Sequence, residues 1–275
     1  MIDIGANLLS GQFDADREQV LTRARQAGVK TIIVTATDLE ESRAATDYCA
    51  ARPELFCTAG IHPHDASAAT AAEIDSAVSQ ITSLAKEPVV VAIGETGLDY
   101  FRDFTDPGDQ RRVCAAQLTL AKQLKLPVFA HDRDASEDMV RLIKASGINP
   151  ATIVIHCFTG DELALQRYLD LGCMIGITGW LCDTKRGAEL REIVGQIPAD
   201  RIMIETDAPY LRPHNAPKDA LASGSGSRRR NEPALLPYVA QTLAKCMGLS
   251  VADLIAHSSR NAQQLFPRLN LQGLP

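Results

Sequence analysis

Four apolar segments of this chain each end in a side chain that can bind a metal ion or move a proton, namely Glu95, His131, His156 and Asp207. Imidazole nitrogens and carboxylate oxygens together make a mixed ligand set suited to Zn²⁺, Mn²⁺ or Mg²⁺, and a carboxylate can also act as a general base. Any one of these residues alone would be explained by a structural hydrogen bond or an ion pair. Their recurrence at equivalent positions instead predicts one shared metal site.

The segments that lead to these residues have the pattern of buried strands. The run 89–94 is short, apolar and rich in Val, with no polar face, which is typical of a strand in a parallel sheet. Glu95 is predicted on the last position of this strand, with Gly94 and Gly97 holding the turn that follows. The other predicted strands are 2–4, 31–36, 55–60, 128–130, 152–155, 173–177 and 201–206.

Helical periodicity fills the intervals between the strands. In 14–27, Val20 and Ala24 belong to an apolar stripe opposite a charged face, and Gly28 is placed to end the helix. Ser250 is predicted as the N-cap of the last helix. The other predicted helices are 39–51, 71–86, 108–125, 135–146, 160–171, 184–197, 234–247 and 250–264.

This alternation of strands and helices predicts a (β/α)8 TIM barrel, with a single domain over 1–267 and a short C-terminal tail at 268–275. The alternative is an open doubly wound sheet, but Gly5-Ala6-Asn7-Leu8-Leu9 lacks the GxGxxG phosphate loop of that fold. Catalytic groups of a barrel lie at the carboxyl ends of its strands. The residues expected at one mouth are Asn7, His62, Glu95, His131, His156 and Asp207.

Composition bounds the class of protein. Of the 275 residues, 45% are hydrophobic and 23% are charged, as in a globular protein with a full core. The net charge of −6 gives no general attraction for a polyanion, so any phosphate recognition must be local. The chain shows neither a signal peptide nor a membrane-spanning apolar run, and its seven cysteines form no CxxC pair. We expect a cytoplasmic protein with reduced thiols, no membrane association and no obligate protein partner.

A series of motifs runs through nearly the whole chain. They are Gly60-Ile61-His62-Pro63-His64, Gly94-Glu95-Thr96-Gly97-Leu98-Asp99, Pro127-Val128-Phe129-Ala130-His131-Asp132-Arg133, His156-Cys157-Phe158-Thr159-Gly160, Glu205-Thr206-Asp207-Ala208-Pro209-Tyr210-Leu211 and Ser227-Arg228-Arg229-Arg230-Asn231-Glu232-Pro233. This series resembles that of the TatD family of metal-dependent deoxyribonucleases, which have amidohydrolase-like barrels. The resemblance implies that Glu95, His131 and His156 bind a divalent metal, and that Asp207 is both ligand and general base. It also implies a 3′-to-5′ exonuclease that favours single-stranded DNA, and it leaves RNA open as a substrate.

The first strand departs from the pattern of many relatives of this family. Those relatives carry Asp-x-His-x-His there, whereas this chain has Asp3-Ile4-Gly5-Ala6-Asn7. Gly5 cannot bind a metal, and Asn7 offers only a neutral amide oxygen. We therefore expect one firm metal site and a second that is weak or filled only with substrate. Mg²⁺ is the expected cofactor, with Mn²⁺ or Zn²⁺ as alternatives.

Several polar side chains near the predicted mouth are candidates for binding substrate. The resemblance implies that at least one of His62 and His64 contacts a phosphate, with a loop-bracing role as the alternative. Asn7 is a further candidate. Arg133 should lie on the same side of its strand as His131, where it would either clamp a phosphate or neutralise nearby carboxylates.

Other candidates lie after the seventh and eighth predicted strands. Arg228, Arg229 and Arg230 form a basic cluster that is interpreted either as phosphate contacts or as solvated surface. Trp180 and Tyr210 would either stack on unpaired bases or pack within loops.

Two residues next to the predicted metal ligands are given supporting roles or none. Glu205 would either orient a ligand or form a structural ion pair. Cys157 follows His156, so strand alternation predicts that its thiol points away from the site.

Three functions are compatible with these residues. The favoured one is a metal-dependent nuclease that hydrolyses phosphodiester bonds. The same metal site could instead cleave an amide, a lactone or an aminoacyl ester, because barrels of this superfamily host many hydrolyses. A non-catalytic metal-binding protein is the third, and Asp207 argues against it because a structural site needs no base.

Overall fold

The computed structural model describes residues 1–67, 70–102, 104–221 and 230–269, and strands alternate with helices throughout them. The strands are β1 (Ile2–Ala6), β2 (Thr31–Val34), β3 (Leu55–Ala59), β4 (Val90–Asp99), β5 (Val128–Arg133), β6 (Ile153–Ile155), β7 (Met174–Ile177) and β8 (Ile202–Ile204). The helices are α1 (Arg17–Gln26), α2 (Leu39–Ala50), α3 (Ala71–Leu84), α4 (Pro107–Leu124), α5 (Ser136–Ser146), α6 (Glu162–Leu171), α7 (Ala188–Ile193), α8 (Leu236–Met247) and α9 (Val251–Leu265). Most predicted elements are confirmed to within a few residues.

The strands form one parallel sheet in chain order, from β1 to β8. Backbone hydrogen bonds close this sheet between β1 and the segment after β8. The N–H of Asn7 donates to the carbonyl of Ala208 at 2.7 Å, and the N–H of Asp207 donates to the carbonyl of Gly5 at 2.8 Å. The single-domain (β/α)8 barrel is thus confirmed over the doubly wound alternative.

Apolar side chains fill the barrel and close its amino-terminal end. Ile4, Phe129 and Met203 are fully buried inside it, where each large side chain contributes about 1.5–3 kcal/mol. Phe266, directly after α9, packs against this interior cluster at the amino-terminal end of the barrel. The Arg268 guanidinium donates to the carbonyl of Val90 at 2.7 Å, so the start of the predicted tail contacts the barrel. The predicted boundary at 267 stays a prediction.

Helices α8 and α9 complete the outer layer. The hydroxyl of Ser250 accepts the N–H of Asp253 at 3.0 Å, which confirms the predicted N-cap of α9. Within the described residues, no single helix has both the length and the apolar character needed to cross a bilayer. Residues 233–247 and 251–265 have the required length and apolar character only when the two segments are taken together, and the chain bends by 105° between them.

Two elements differ from the prediction. Strand β4 does not end at Glu95 but continues to Asp99, paired with β5. This continuation needs Gly97, whose φ is +146° and whose α-carbon passes so close to the carbonyl of His131 that no side chain would fit. Helix α7 begins later than predicted because the carboxylate of Asp183 accepts backbone N–H groups in the turn before it, and it passes into a 3₁₀ turn at Val194–Gln196.

Candidate active site

The carboxyl ends of the strands surround a cavity of about 790 Å³. All the residues predicted at the mouth of the barrel line it. His62 immediately precedes a 3₁₀ turn after β3 and His64 lies within that turn, and both residues line this cavity. The lining residues that were predicted as site residues are Asn7, His62, His64, Glu95, His131, Arg133, His156 and Asp207.

Three imidazoles converge on one carboxylate oxygen at the floor of the cavity. Glu95 Oε1 lies 2.8 Å from Nε2 of His156, 2.9 Å from Nδ1 of His131 and 3.3 Å from Nε2 of His62. Ligand atoms about 2.1 Å from one octahedral ion lie about 3 Å apart, so this spacing suits a shared cation. His62, which was predicted at a phosphate, therefore belongs with Glu95 and His131 to a compact potential ligand group.

His131 links this group to a second buried carboxylate, that of Asp99. Asp99 Oδ2 lies 2.7 Å from Nε2 of His64 and 3.4 Å from Nε2 of His131. Within the described residues, Nε2 of His131 is buried and has no hydrogen-bond partner. An unsatisfied imidazole nitrogen beside the Asp99 carboxylate fits a divalent metal ion, which would supply the missing partner.

Asp99 was missed in the sequence because β4 was expected to end at Glu95. Residues that are two and four positions apart in a strand face the same side. Continuing the strand through Gly97 would therefore have placed Glu95 and Asp99 on one face.

Glu205 holds His156 from behind. Its Oε2 lies 3.2 Å from Nδ1 of His156, and its Oε1 accepts the N–H of Cys157 at 2.6 Å. A β-carbon at Gly176 would lie 2.5 Å from Oε1, and one at Gly5 would overlap Oε2. The carboxylate thus fills a slot between β1 and β7 that only glycines leave open, and the hypothesis that Glu205 orients a ligand is supported.

We expect the free energy of unfolding of the Gly5→Ala variant to be about 1–3 kcal/mol lower than that of the wild type, because the added methyl group forces the Glu205 carboxylate out of its slot. Denaturant titration measures this loss. The Gly5→Ala/Glu205→Ala double variant should lose less stability than the two single losses sum to, since Glu205→Ala removes the carboxylate with which the added methyl group clashes. Strict additivity of the two losses would contradict the slot.

Electrostatics separates the roles of the buried acids. Burial alone would raise the pKa of Glu95, but the charges of His156 and His62 and hydrogen bonds from the imidazoles hold that pKa well below its ordinary value. Burial raises the pKa of Asp207 to about 7, and Glu95 adds to the rise. The Asn7 amide donates to Oδ1 of Asp207 at 3.0 Å. Asp207 is therefore the acid that can exchange a proton near neutral pH.

Comparison with known proteins agrees with this geometry. The sequence model of TatD related DNases matches residues 2–267. The chain belongs to the TatD family. A TatD relative of Escherichia fergusonii, named a 3′-5′ ssDNA/RNA exonuclease, is 45% identical over 267 residues, which cover 97% of this chain and 98% of the relative.

Solved structures of the TatD family have the same fold. A TatD homologue of Escherichia coli superposes with a TM-score of 0.85 at 27% identity, covering 97% of this chain and 98% of the other. A TatD family hydrolase of Entamoeba histolytica gives 0.83 at 28% identity, with 97% of each chain covered. Together with the compact group around Glu95, family membership supports a divalent metal site.

The other predicted TatD site residues have mixed outcomes. Arg133 lines the cavity on the side of His131, as expected from alternation. Asp207 also lines the cavity but lies outside the compact group of His62, Glu95 and His131, so its role as a metal ligand stays a prediction. Arg228 and Arg229 lie outside the described residues.

Cys157 corrects a prediction. Its thiol was expected to point away from the site, yet Cys157 lines the cavity because its φ of +46° breaks the strand alternation after β6. Burial holds the pKa of this thiol well above its ordinary value, so it stays protonated and is a poor nucleophile.

Arg230 is not part of a phosphate-binding cluster. It is 4% exposed, and its guanidinium binds Asp16 at 2.7 Å and Glu232 at 2.7 Å. Arg23 contacts the same two carboxylates, at 2.8 Å and 2.7 Å. This ion-pair network joins α1 to the segment before α8, so the interpretation of Arg230 as a phosphate contact is replaced by a structural one.

The Asp16→Asn variant should be about 2–3 kcal/mol less stable at pH 7, because the buried Arg230 and the partly buried Arg23 each lose one of their two carboxylate partners. Hydrogen bonds from Arg230 hold the pKa of Asp16 below its ordinary value. The stabilisation is therefore complete above the unfolded pKa of about 4 and is lost as pH falls through the lower folded pKa, so the difference from wild type should narrow below pH 4.

Urea titrations between pH 3 and pH 7 measure this difference. The matched control is Asp14→Asn, whose carboxylate is 70% exposed and should matter by less than about 1 kcal/mol. A loss at Asp16 that does not change with pH would contradict the ion-pair account.

Proposed function

We propose that the protein is a metal-dependent 3′-5′ exonuclease that acts on single-stranded DNA, with RNA as a further substrate. The observation that carries this proposal is the convergence of three imidazoles on Glu95 beside the partly buried Asp207, in a cavity that also holds Arg133. The name of the Escherichia fergusonii relative supports the substrate and the polarity.

We assign the ion to Glu95, His131 and His62, with His156 and Asp207 as further ligands. Mg²⁺ is proposed because the end of β1 offers the Asn7 amide oxygen rather than further histidines, with Mn²⁺ and Zn²⁺, of which Zn²⁺ suits imidazole ligands better, as alternatives. A bound divalent ion would stabilise the charge on the phosphoryl oxygens and lower the pKa of an attacking water.

The protein's own side chains position the substrate and accept the proton of the attacking water. Asp207 accepts a proton from the attacking water, and Asn7 holds its carboxylate in place. Arg133 donates to phosphate oxygens, since a guanidinium matches their planar, bidentate geometry. His64 is proposed as a second phosphate donor.

A substrate panel tests which bond is cleaved. A single-stranded DNA oligonucleotide labelled at its 5′ end, a matched RNA, p-nitrophenyl acetate and a simple lactone are each incubated with Mg²⁺, Mn²⁺ or Zn²⁺. We expect the nucleic acids to shorten stepwise from the 3′ end while ester and lactone remain intact. Turnover of the ester or lactone without cleavage of either nucleic acid would replace the nuclease with the alternative hydrolase.

We also propose a cytoplasmic location. All seven cysteines lie in the described residues, and none forms a disulfide. Free thiols are typical of reducing compartments.

A further inference from the structure

A row of alternating rings and guanidinium groups has three of its four members, Arg133, Trp180 and Arg186, on the wall of the cavity. Phe101 follows β4, Arg133 ends β5, Trp180 lies in a 3₁₀ turn after β7, and Arg186 precedes α7. The Arg133 guanidinium carbon lies 4.7 Å from the centre of the Phe101 ring and 5.1 Å from that of Trp180. That of Arg186 lies 4.5 Å from Trp180. We call these four residues the cation–aromatic row.

The cation–aromatic row contains an exposed ring and guanidinium groups that are available to bind a ligand. Phe101 is 61% exposed, an uncommon position for a large apolar ring. Among the described residues, no carboxylate pairs with Arg133, whose guanidinium donates to the Thr159 hydroxyl at 3.5 Å. Arg186 pairs with Asp183 at 2.7 Å but remains 55% exposed. The row therefore offers donors for anions beside apolar ring surface.

The row adjoins the catalytic groups at Arg133. Arg133 lies two residues beyond His131 on the same strand, which places it next to the imidazoles around Glu95. Trp180 and Arg186 line the same cavity farther along its wall, on loops after β7. A chain bound at Glu95 could thus continue along the row.

We infer that the cation–aromatic row binds the unpaired nucleotides on the 5′ side of the cleaved bond, and this rests on the proposed exonuclease function. Single strands are bound by positive grooves in which aromatic side chains stack on the bases. Phosphates bind the guanidinium groups, while bases contact the rings. A base-paired strand keeps its base faces covered, so the row would select single strands over duplexes.

Oligothymidylates of two and eight nucleotides test this inference. KM is measured for both substrates with the wild type and with the Trp180→Ala, Trp180→Phe and Arg186→Ala variants. The matched control is Tyr48→Ala, because Tyr48 also carries a guanidinium over its ring, that of Arg52 at 3.9 Å, but lies outside the cavity on α2. Thermal melting checks that each variant is folded.

For the octanucleotide, Trp180→Ala should raise KM roughly 10- to 100-fold, and the dinucleotide should be affected much less. Trp180→Phe should recover most of the octanucleotide affinity because it restores a ring. Arg186→Ala should weaken the salt dependence of octanucleotide KM.

Two results would overturn the inference. If octanucleotide KM stayed within twofold of wild type in both Trp180→Ala and Arg186→Ala, with normal cleavage, the row would not be a nucleotide-binding site, and the proposed exonuclease function would be unaffected. A wild-type protein that cleaves neither oligonucleotide would overturn the proposed function, and the row with it.

Discussion

The Glu95→Gln variant should lose at least about 1000-fold of nuclease activity, equivalent to roughly 4 kcal/mol of transition-state stabilisation. Glu95 Oε1 is the one atom that faces His62, His131 and His156 together, at 2.8–3.3 Å. Glutamine keeps the shape of the side chain but removes its charge, and an amide is a poor partner for three imidazoles around a cation. Both the metal and the order of the imidazoles should be lost.

Calorimetric titration with Mn²⁺, beside an oligonucleotide cleavage assay, measures both losses. The control is Glu137→Gln, whose carboxylate is 66% exposed on the outer helix α5 and should leave affinity and rate unchanged. If Glu95→Gln bound Mn²⁺ as tightly as wild type and kept a tenth of the rate, Glu95 would not be the centre of the site.

The Asp207→Asn variant should lose about 10²- to 10⁴-fold in kcat, the usual range for a general base. Asparagine has the size of aspartate, and its amide oxygen can still accept from Asn7, so position is kept while basicity is lost. A loss in kcat with little change in KM would mark an interaction made mainly in the transition state.

Steady-state cleavage of one oligonucleotide separates kcat from KM. Asp200→Asn is the matched control, because Asp200 is an exposed aspartate shortly before β8. A rise in KM with kcat preserved would make Asp207 a substrate-binding group rather than a base.

The barrel and the position of the site could be predicted from the sequence because both depend on local patterns. Short apolar runs define strands, and the polar residue that follows each run lies at the same end of a parallel barrel. This logic located Glu95, His131, His156 and Asp207 at one mouth. Glu205 was also identifiable, as it lies two residues before Asp207.

The prediction errors arose where an unusual backbone conformation, or a residue distant in the sequence, determines the position or the partner of a side chain. Asp99 was missed because β4 continues through Gly97, and Cys157 was misplaced because its positive φ breaks alternation. Arg230 looked like part of a surface cluster, since sequence does not reveal that Asp16, more than 200 positions away, is its partner. Phe101 and Trp180 share Arg133 only because loops from different strands meet.

The most direct test of a metal-dependent nuclease at this site is one digestion of a 5′-labelled single-stranded DNA oligonucleotide. Wild type is followed with Mg²⁺, after EDTA and after Mg²⁺ is restored, beside Asp207→Asn. We expect a ladder that shortens from the 3′ end, stops with EDTA, resumes with Mg²⁺ and is nearly absent in the variant. Cleavage that persists in EDTA, or that Asp207→Asn performs at the wild-type rate, would contradict the account.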